Sequence, residues 1–188
     1  MEQVLDNNIR LSEQEPIVIY GAFWPRLAAL MLDTVILLPI TAPLTIYNLL
    51  EWKSIPLQIA ATLISLAYKP FCEYKFGATP GKMALGLKVV NLRFEKANLA
   101  EILLRNIFNL GIGLFSLILT MGLWDKEGFQ EVHKFMEYSV WATQSQGKAW
   151  LDRLLFIPYL ADLIFLLSDD KKRALHDRIG KTYVIKKG

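Results

Sequence analysis

The chain has little with which to crosslink itself or to ligate a metal. Its one cysteine, Cys72, cannot close an internal disulfide, and its two histidines, His133 and His176, are the only imidazoles. A multi-cysteine site is therefore excluded. The topology derived below puts the two histidines on opposite sides of a membrane, so no two-histidine metal centre is expected. Charge is also sparse, at 21% of the 188 residues, and balanced to a net +3. The first sixteen residues include Glu2, Asp6, Glu13 and Glu15. That is no basic region leading into an apolar core, so a cleaved signal peptide is not expected. Internal repeats and low-complexity tracts are missing as well, and no Ser or Cys stands in a recognisable nucleophile setting. An enzyme, a resident cofactor and a nucleic-acid partner are accordingly not expected.

What the chain has instead is long apolar runs, at 27–50, 55–74, 102–124 and 150–168. A hydrocarbon core takes about 20 helical residues to cross, and a soluble domain this small could not hide four such runs. The pattern predicts an all-α membrane protein with four transmembrane helices. Pro39 and Pro43 should kink the first, and Glu51 to Ser54 leave room only for a tight hairpin into the second. The last run carries Asp152, Arg153, Pro158 and Asp162, so a re-entrant or interfacial segment is the alternative there.

Four spans put both termini and residues 75–101 on one side. That side holds fourteen Lys and Arg, against Lys53, Lys126, Lys134 and Lys148 on the other. The positive-inside rule then makes the termini cytoplasmic, in what reads as a bacterial inner membrane. Trp24, Trp52, Trp124, Trp141 and Trp150 fall near span ends or in the outer loop, where interfacial anchors belong. The basic run from Lys171 to Lys187 reads as a contact for anionic lipids of the bilayer.

Between the spans, residues 87–94 and Thr182–Ile185 are rich in strand formers and are predicted to lie together in a small cytoplasmic cap. Asn98 and Glu101 fit the N-cap and N3 positions of a capping box. Phe129, Val132, Met136 and Val140 recur at near-helical spacing, which suits either an amphipathic surface helix or a solvated loop. Gly77 to Lys82 looks like a phosphate-binding loop, but three residues separate the glycines instead of four. Met83 also stands where a magnesium-binding hydroxyl is needed, so nucleotide binding is rejected.

Charges inside spans point to function by default. Arg26 and Asp33 are seven apart on one helix and share a stripe, but their separation of about 10 Å forbids direct pairing. Asp33 should find a partner on another helix: a proton-coupled site on one reading, a clasp to Arg105 or Asn106 on the other. Asp162, with Asn106 and Asn109 as neighbours, is the second mid-span carboxylate. Glu73 lies four residues after Lys69, a spacing that suits a local ion pair.

Taken in order, Tyr20-Gly21-Ala22-Phe23-Trp24-Pro25-Arg26 with Asp33, the stretch Gly77 to Val90, Leu104-Arg105-Asn106 and His176-Asp177-Arg178-Ile179-Gly180 resemble the RDD family of membrane proteins. The name refers to one arginine and two aspartates. The resemblance implies that Arg26 is the family arginine and Asp33 its first aspartate, with Asp177 a better match to the second than Asp162. It implies motif roles for Gly77, Pro80, Gly81, Lys82, Arg105 and His176. It also implies either membrane transport, with cation/proton exchange suggested for some members, or an assembly role beside other membrane proteins. A bundle this small suits a homo-oligomer or a larger complex under either reading.

Overall fold

The computed structural model describes residues 18–146 and 156–187. Three helices in it are long and apolar enough to cross a bilayer. Helix α1, Phe23–Tyr47, continues through a wider turn over Asn48–Trp52. Helix α2 is Ile55–Phe76, and a third long helix covers Ile107–Trp124. At 1.5 Å per residue their 25, 22 and 18 residues reach about 37, 33 and 27 Å, close to or beyond a hydrocarbon core of about 30 Å.

The third predicted span is not one helix. The backbone breaks at Asn106 (φ −96°, ψ 9°) into a short helix, Leu99–Arg105, and the apolar Ile107–Trp124. The short piece starts where the capping box requires, Asn98 accepting from the Glu101 N–H at 2.9 Å while Glu101 accepts from the Asn98 N–H at 2.8 Å. Of the fourth predicted span, the described part is Ile157–Ser168, twelve residues or about 18 Å. Residues 150–155 of that prediction, Trp150, Asp152 and Arg153 among them, lie outside the described residues.

The α1–α2 connection and the segment after the third helix meet at one end of the bundle. Lys53 donates its ammonium to the Gln130 carbonyl at 2.6 Å, and the Trp124 indole N–H donates to the Lys53 carbonyl at 2.8 Å. Trp124 is thereby buried against Phe129 rather than exposed as an anchor, while Trp24 and Trp52 remain exposed. Of the residues spaced as an outer-loop helix, Met136 and Val140 lie on a helix, Phe135–Gln146, but Phe129 and Val132 precede it and are buried.

The opposite end carries the cap. In chain order its elements are α3 (Pro80–Ala84), β1 (Leu87–Asn91), α4 (Leu99–Arg105) and, after α5 (Ile107–Trp124), α6 (Phe135–Gln146) and α7 (Ile157–Ser168), α8 (Leu175–Ile179) and β2 (Thr182–Lys186). The two predicted strands pair antiparallel with Val89 opposite Val184, and Tyr20 bridges to Ile185. Ala29 of α1 joins Leu87, Val89, Ala97, Ile102 and Val184 in one apolar cluster, so the cap is seated on the first membrane helix by burial.

Candidate functional site

The N-terminal part of α1, the C-terminal turn of α2 and the α4–α5 junction all end against the cap. Each brings a charged or amide side chain with it. Arg26 extends along α1 and donates three ways: Nε to the Gly21 carbonyl at 2.8 Å, Nη2 to the Lys172 carbonyl at 2.6 Å, and Nη1 to Asp177 Oδ2 at 2.5 Å. The other Asp177 oxygen takes Arg105 Nη1, which also reaches Thr182 Oγ1 at 2.9 Å. Asp177, fully buried, is also bonded to the Ala174 N–H at the start of α8. One carboxylate thus closes a helix terminus and pairs with two guanidiniums, and Glu73 supplies the second negative charge through Arg105, so the buried charges are paired and hydrogen-bonded.

Arg105 links this cluster to a second one. Its Nε donates to Glu73 Oε2 at 3.2 Å, an oxygen shared with Asn106 Nδ2 at 3.1 Å, and Glu73 Oε1 takes Lys82 Nζ at 2.5 Å. Glu73, Arg105 and Asn106 are buried, and Lys82 nearly so. The sequence spacing suggested a Glu73–Lys69 pair. Glu73 turns instead toward the cap, where Lys82 and Arg105 offer two charged donors in a dry setting, a stronger interaction than one exposed i,i+4 pair.

Asp33 is not clasped to Arg105 or Asn106. Its Oδ1 accepts the Gly81 N–H at 2.8 Å and the Tyr68 hydroxyl at 3.2 Å. Gly81 is the second residue of α3, a helix whose N-cap residue Thr79 makes no side-chain cap bond, so Asp33 supplies the cap from a neighbouring helix. The approach is so close that a Cβ on Gly81 would stand 2.2 Å from the Ala29 carbonyl oxygen. Gly77 is required for another reason, closing α2 in the left-handed conformation at φ 78°. Pro80 occupies the first turn of α3, where its missing N–H costs nothing.

Asp162 does for α8 what Asp33 does for α3. Its Oδ1 accepts the His176 N–H at 2.9 Å, and its Oδ2 meets the His176 ring at Nδ1. Its partner is therefore His176, not Asn106 or Asn109. The other ring nitrogen, Nε2, lies 3.3 Å from Asp177. Burial and the nearby Arg105 push the His176 imidazole down to about 3, against the pull of Asp162.

Arg26, Asp177, Arg105 and His176 therefore meet in one cluster, joined to Asp162. Asp33 and Gly81 form a separate contact, Gly81 being the residue next to Lys82 in the chain. Sequence reading had not placed Glu73 among the site residues, although an acidic residue near the end of an apolar run was a signal for it. No group of three or more metal-ligating His, Cys, Asp or Glu side chains occurs among the described residues.

The family model of the RDD family matches residues 20–181, a range that contains every charged residue of both clusters. No curated protein and no solved structure matches the chain.

Proposed function

This chain belongs to the RDD family, a family of membrane proteins, and from that premise we propose that it moves a small cation across the bilayer in exchange for protons. The bilayer is a bacterial cytoplasmic membrane, with both termini and the basic cap on the cytoplasmic side against anionic lipids. Asp33 is the proton-responsive carboxylate, and Arg26 with Asp177 closes the cytoplasmic mouth.

One observation carries this reading. Carboxylates and cations from α1, α2, α3, α4 and α8 are gathered and largely desolvated where the membrane helices end. Charges in such a position are costly to keep unless something uses them. Asp33 is suited to couple protons to movement because its ionised oxygen holds the α3 N-terminus. Protonation weakens that acceptor, and α3 bears the Lys82 that occupies Glu73.

The test is proton flux into proteoliposomes containing only this protein, with sodium, potassium or lithium supplied in turn. Wild-type flux should depend on the cation. Asp33→Asn, which keeps the cap-accepting oxygen and loses the titrating group, should fold and carry none.

A second reading, a scaffold subunit that holds other membrane proteins or further copies of itself, is favoured by the first helix. Among the 25 residues of α1 only Ala29 is buried, so its apolar surface is available for other helices. Absence of flux from well-folded wild-type protein, with a changed complex size in membranes for Asp33→Asn, would support this reading in place of transport.

A further inference from the structure

Apart from the ion clusters, the cap holds a cleft of about 510 Å³ between the β1–α4 connection, the first turn of α4 and the turn from α8 into β2. That volume suits a small molecule. The strand register brings its walls together: Asn91 lies opposite Thr182, so Leu92 and Lys181 leave the sheet at the same end. Gly180 seats the turn tightly on α4, where a Cβ would stand 2.6 Å from Arg105 Cβ and 2.8 Å from the Glu101 carbonyl oxygen. Lys181 follows it in the left-handed conformation, at φ 51°, which is uncommon for a lysine. Residues held in such conformations cluster at ligand sites. The opposite wall has its shape fixed by its own hydrogen bonds. Asn91 Oδ1 accepts the Arg93 N–H at 2.8 Å and the Glu95 N–H at 3.0 Å, and Val90 bridges to Lys96 across the base of the loop.

Three cations line the cleft: Arg93, Lys96 and Lys181. Elsewhere on the cap, Arg173 and Arg178 both reach Asp169. In the cleft, by contrast, the Arg93 and Lys181 side chains have no hydrogen bond or ion pair among the described residues, and Lys96 Nζ only lies over the Tyr74 ring, 5.2 Å from its centre. Glu95 and Glu101 line the cleft too, with the amides of Asn91 and Asn98. Both asparagine oxygens accept backbone N–H groups, which leaves the amide nitrogens as donors without a partner among the described residues. Guanidinium and ammonium groups suit a phosphate. A bare phosphate would meet the two carboxylates as like charges, whereas hydroxyl groups donate to carboxylates and accept from amides.

We propose that this cleft binds a phosphorylated polyol, its phosphate held by Arg93, Lys96 and Lys181 and its hydroxyls by Glu95 and the two asparagine amides. The site is independent of both the transport and the scaffold readings. Such a ligand reaches the protein as a lipid headgroup or as a soluble ester. The Lys96–Tyr74 contact sets the cleft beside the last turn of α2, and Leu92 in its wall and Leu99 next to Asn98 are exposed apolar groups, features that favour the lipid.

Binding is measured on the full chain, with one arm for each source. Glycerol phosphate and inorganic phosphate are titrated in turn, by calorimetry, into protein held in phosphatidylcholine nanodiscs. Phosphatidylglycerol is titrated into detergent-solubilised protein against phosphatidylcholine, and native mass spectrometry counts the lipid retained. Wild type should retain phosphatidylglycerol in preference to phosphatidylcholine, and hydrogen exchange over residues 91–98 should slow as it binds. Arg93→Gln with Lys181→Gln changes two exposed positions, so the double variant should fold. It should bind about tenfold more weakly, as loss of charge-assisted hydrogen bonds to a phosphate would give. Lys187→Gln removes a cation of the same basic run outside the cleft and should bind as wild type does.

Binding of glycerol phosphate from solution, lost in the double variant, supports the cleft and makes the soluble ester its ligand. The proposal is overturned if neither source binds, or if inorganic phosphate binds as tightly as the ester. Equal losses in Lys187→Gln and the double variant also overturn it, since they would reduce the binding to attraction by the basic surface as a whole.

Discussion

Arg26 and Asp177 are 151 residues apart in the chain and 2.5 Å apart in the fold. The contact ties the start of the first membrane helix to a five-residue helix near the C-terminal end of the described chain. Because Asp177 also takes Arg105, the pair is one edge of a network, and each member's removal strands others.

Asp177→Ala would leave Arg26 buried without a carboxylate partner and Arg105 with Glu73 alone. A loss of about 3–5 kcal/mol is expected, as for breaking one side of a buried ion pair. Chemical or thermal unfolding in detergent measures it. A cycle with Arg26→Met should give a coupling energy of about 0.5–3 kcal/mol. Strict additivity of the two substitutions would mean that the pair contributes nothing of its own.

Gly81→Ala tests the seating of α3 on α1. The new methyl carbon would stand 2.2 Å from the Ala29 carbonyl oxygen and 3.0 Å from Asp33 Cγ, both on the same helix turn. Backbone cannot yield cheaply there, so α3 must move off α1 and the Gly81 N–H must leave Asp33. The expected cost is about 1–3 kcal/mol. Faster hydrogen exchange at the backbone amide of position 81 and a lowered melting temperature are the readouts, and an unchanged exchange rate there would refute the contact.

His176 should make the protein acid-labile above the pH at which carboxylates titrate. Its folded-state pKa is pushed down to about 3, below the unfolded value of about 6.5. Between those values the unfolded chain binds the extra proton, so stability rises with pH across the window and is lost on acidification. The slope approaches about 1.4 kcal/mol per pH unit for one group. Measured between about pH 5.5 and 6.5, more than one unit above the ordinary carboxylate values of about 3.9 and 4.3, unfolding free energy should fall as the medium is acidified. His176→Gln should flatten the curve; a slope equal to wild type would assign the effect elsewhere.

Membrane-helix character, the strand character of the two short segments and the capping box at Asn98 were legible in the sequence because each depends on neighbours in the chain. Apolar runs select helices that can satisfy their backbone in lipid. Leu87–Asn91 and Thr182–Lys186 carry the residues that suit a half-buried sheet, and they pair as expected. The break at Asn106 was not visible, because the capping box and the apolar run adjoin without an intervening Pro or Gly, and the bend follows from how α4 packs in the cap.

Partners of the buried charges were decided by tertiary structure alone. From spacing, Glu73 suits Lys69, and Asp33 suits a partner on another helix such as Arg105 or Asn106. In the fold Glu73 holds Lys82, Arg105 and Asn106, and Asp33 caps α3 through Gly81. A chain's local periodicity determines which residues form a helix and which stripe they occupy. It contains no information on which helix ends meet, and a desolvated charge pairs with whatever opposite charge or free N–H the assembled ends bring within about 3 Å.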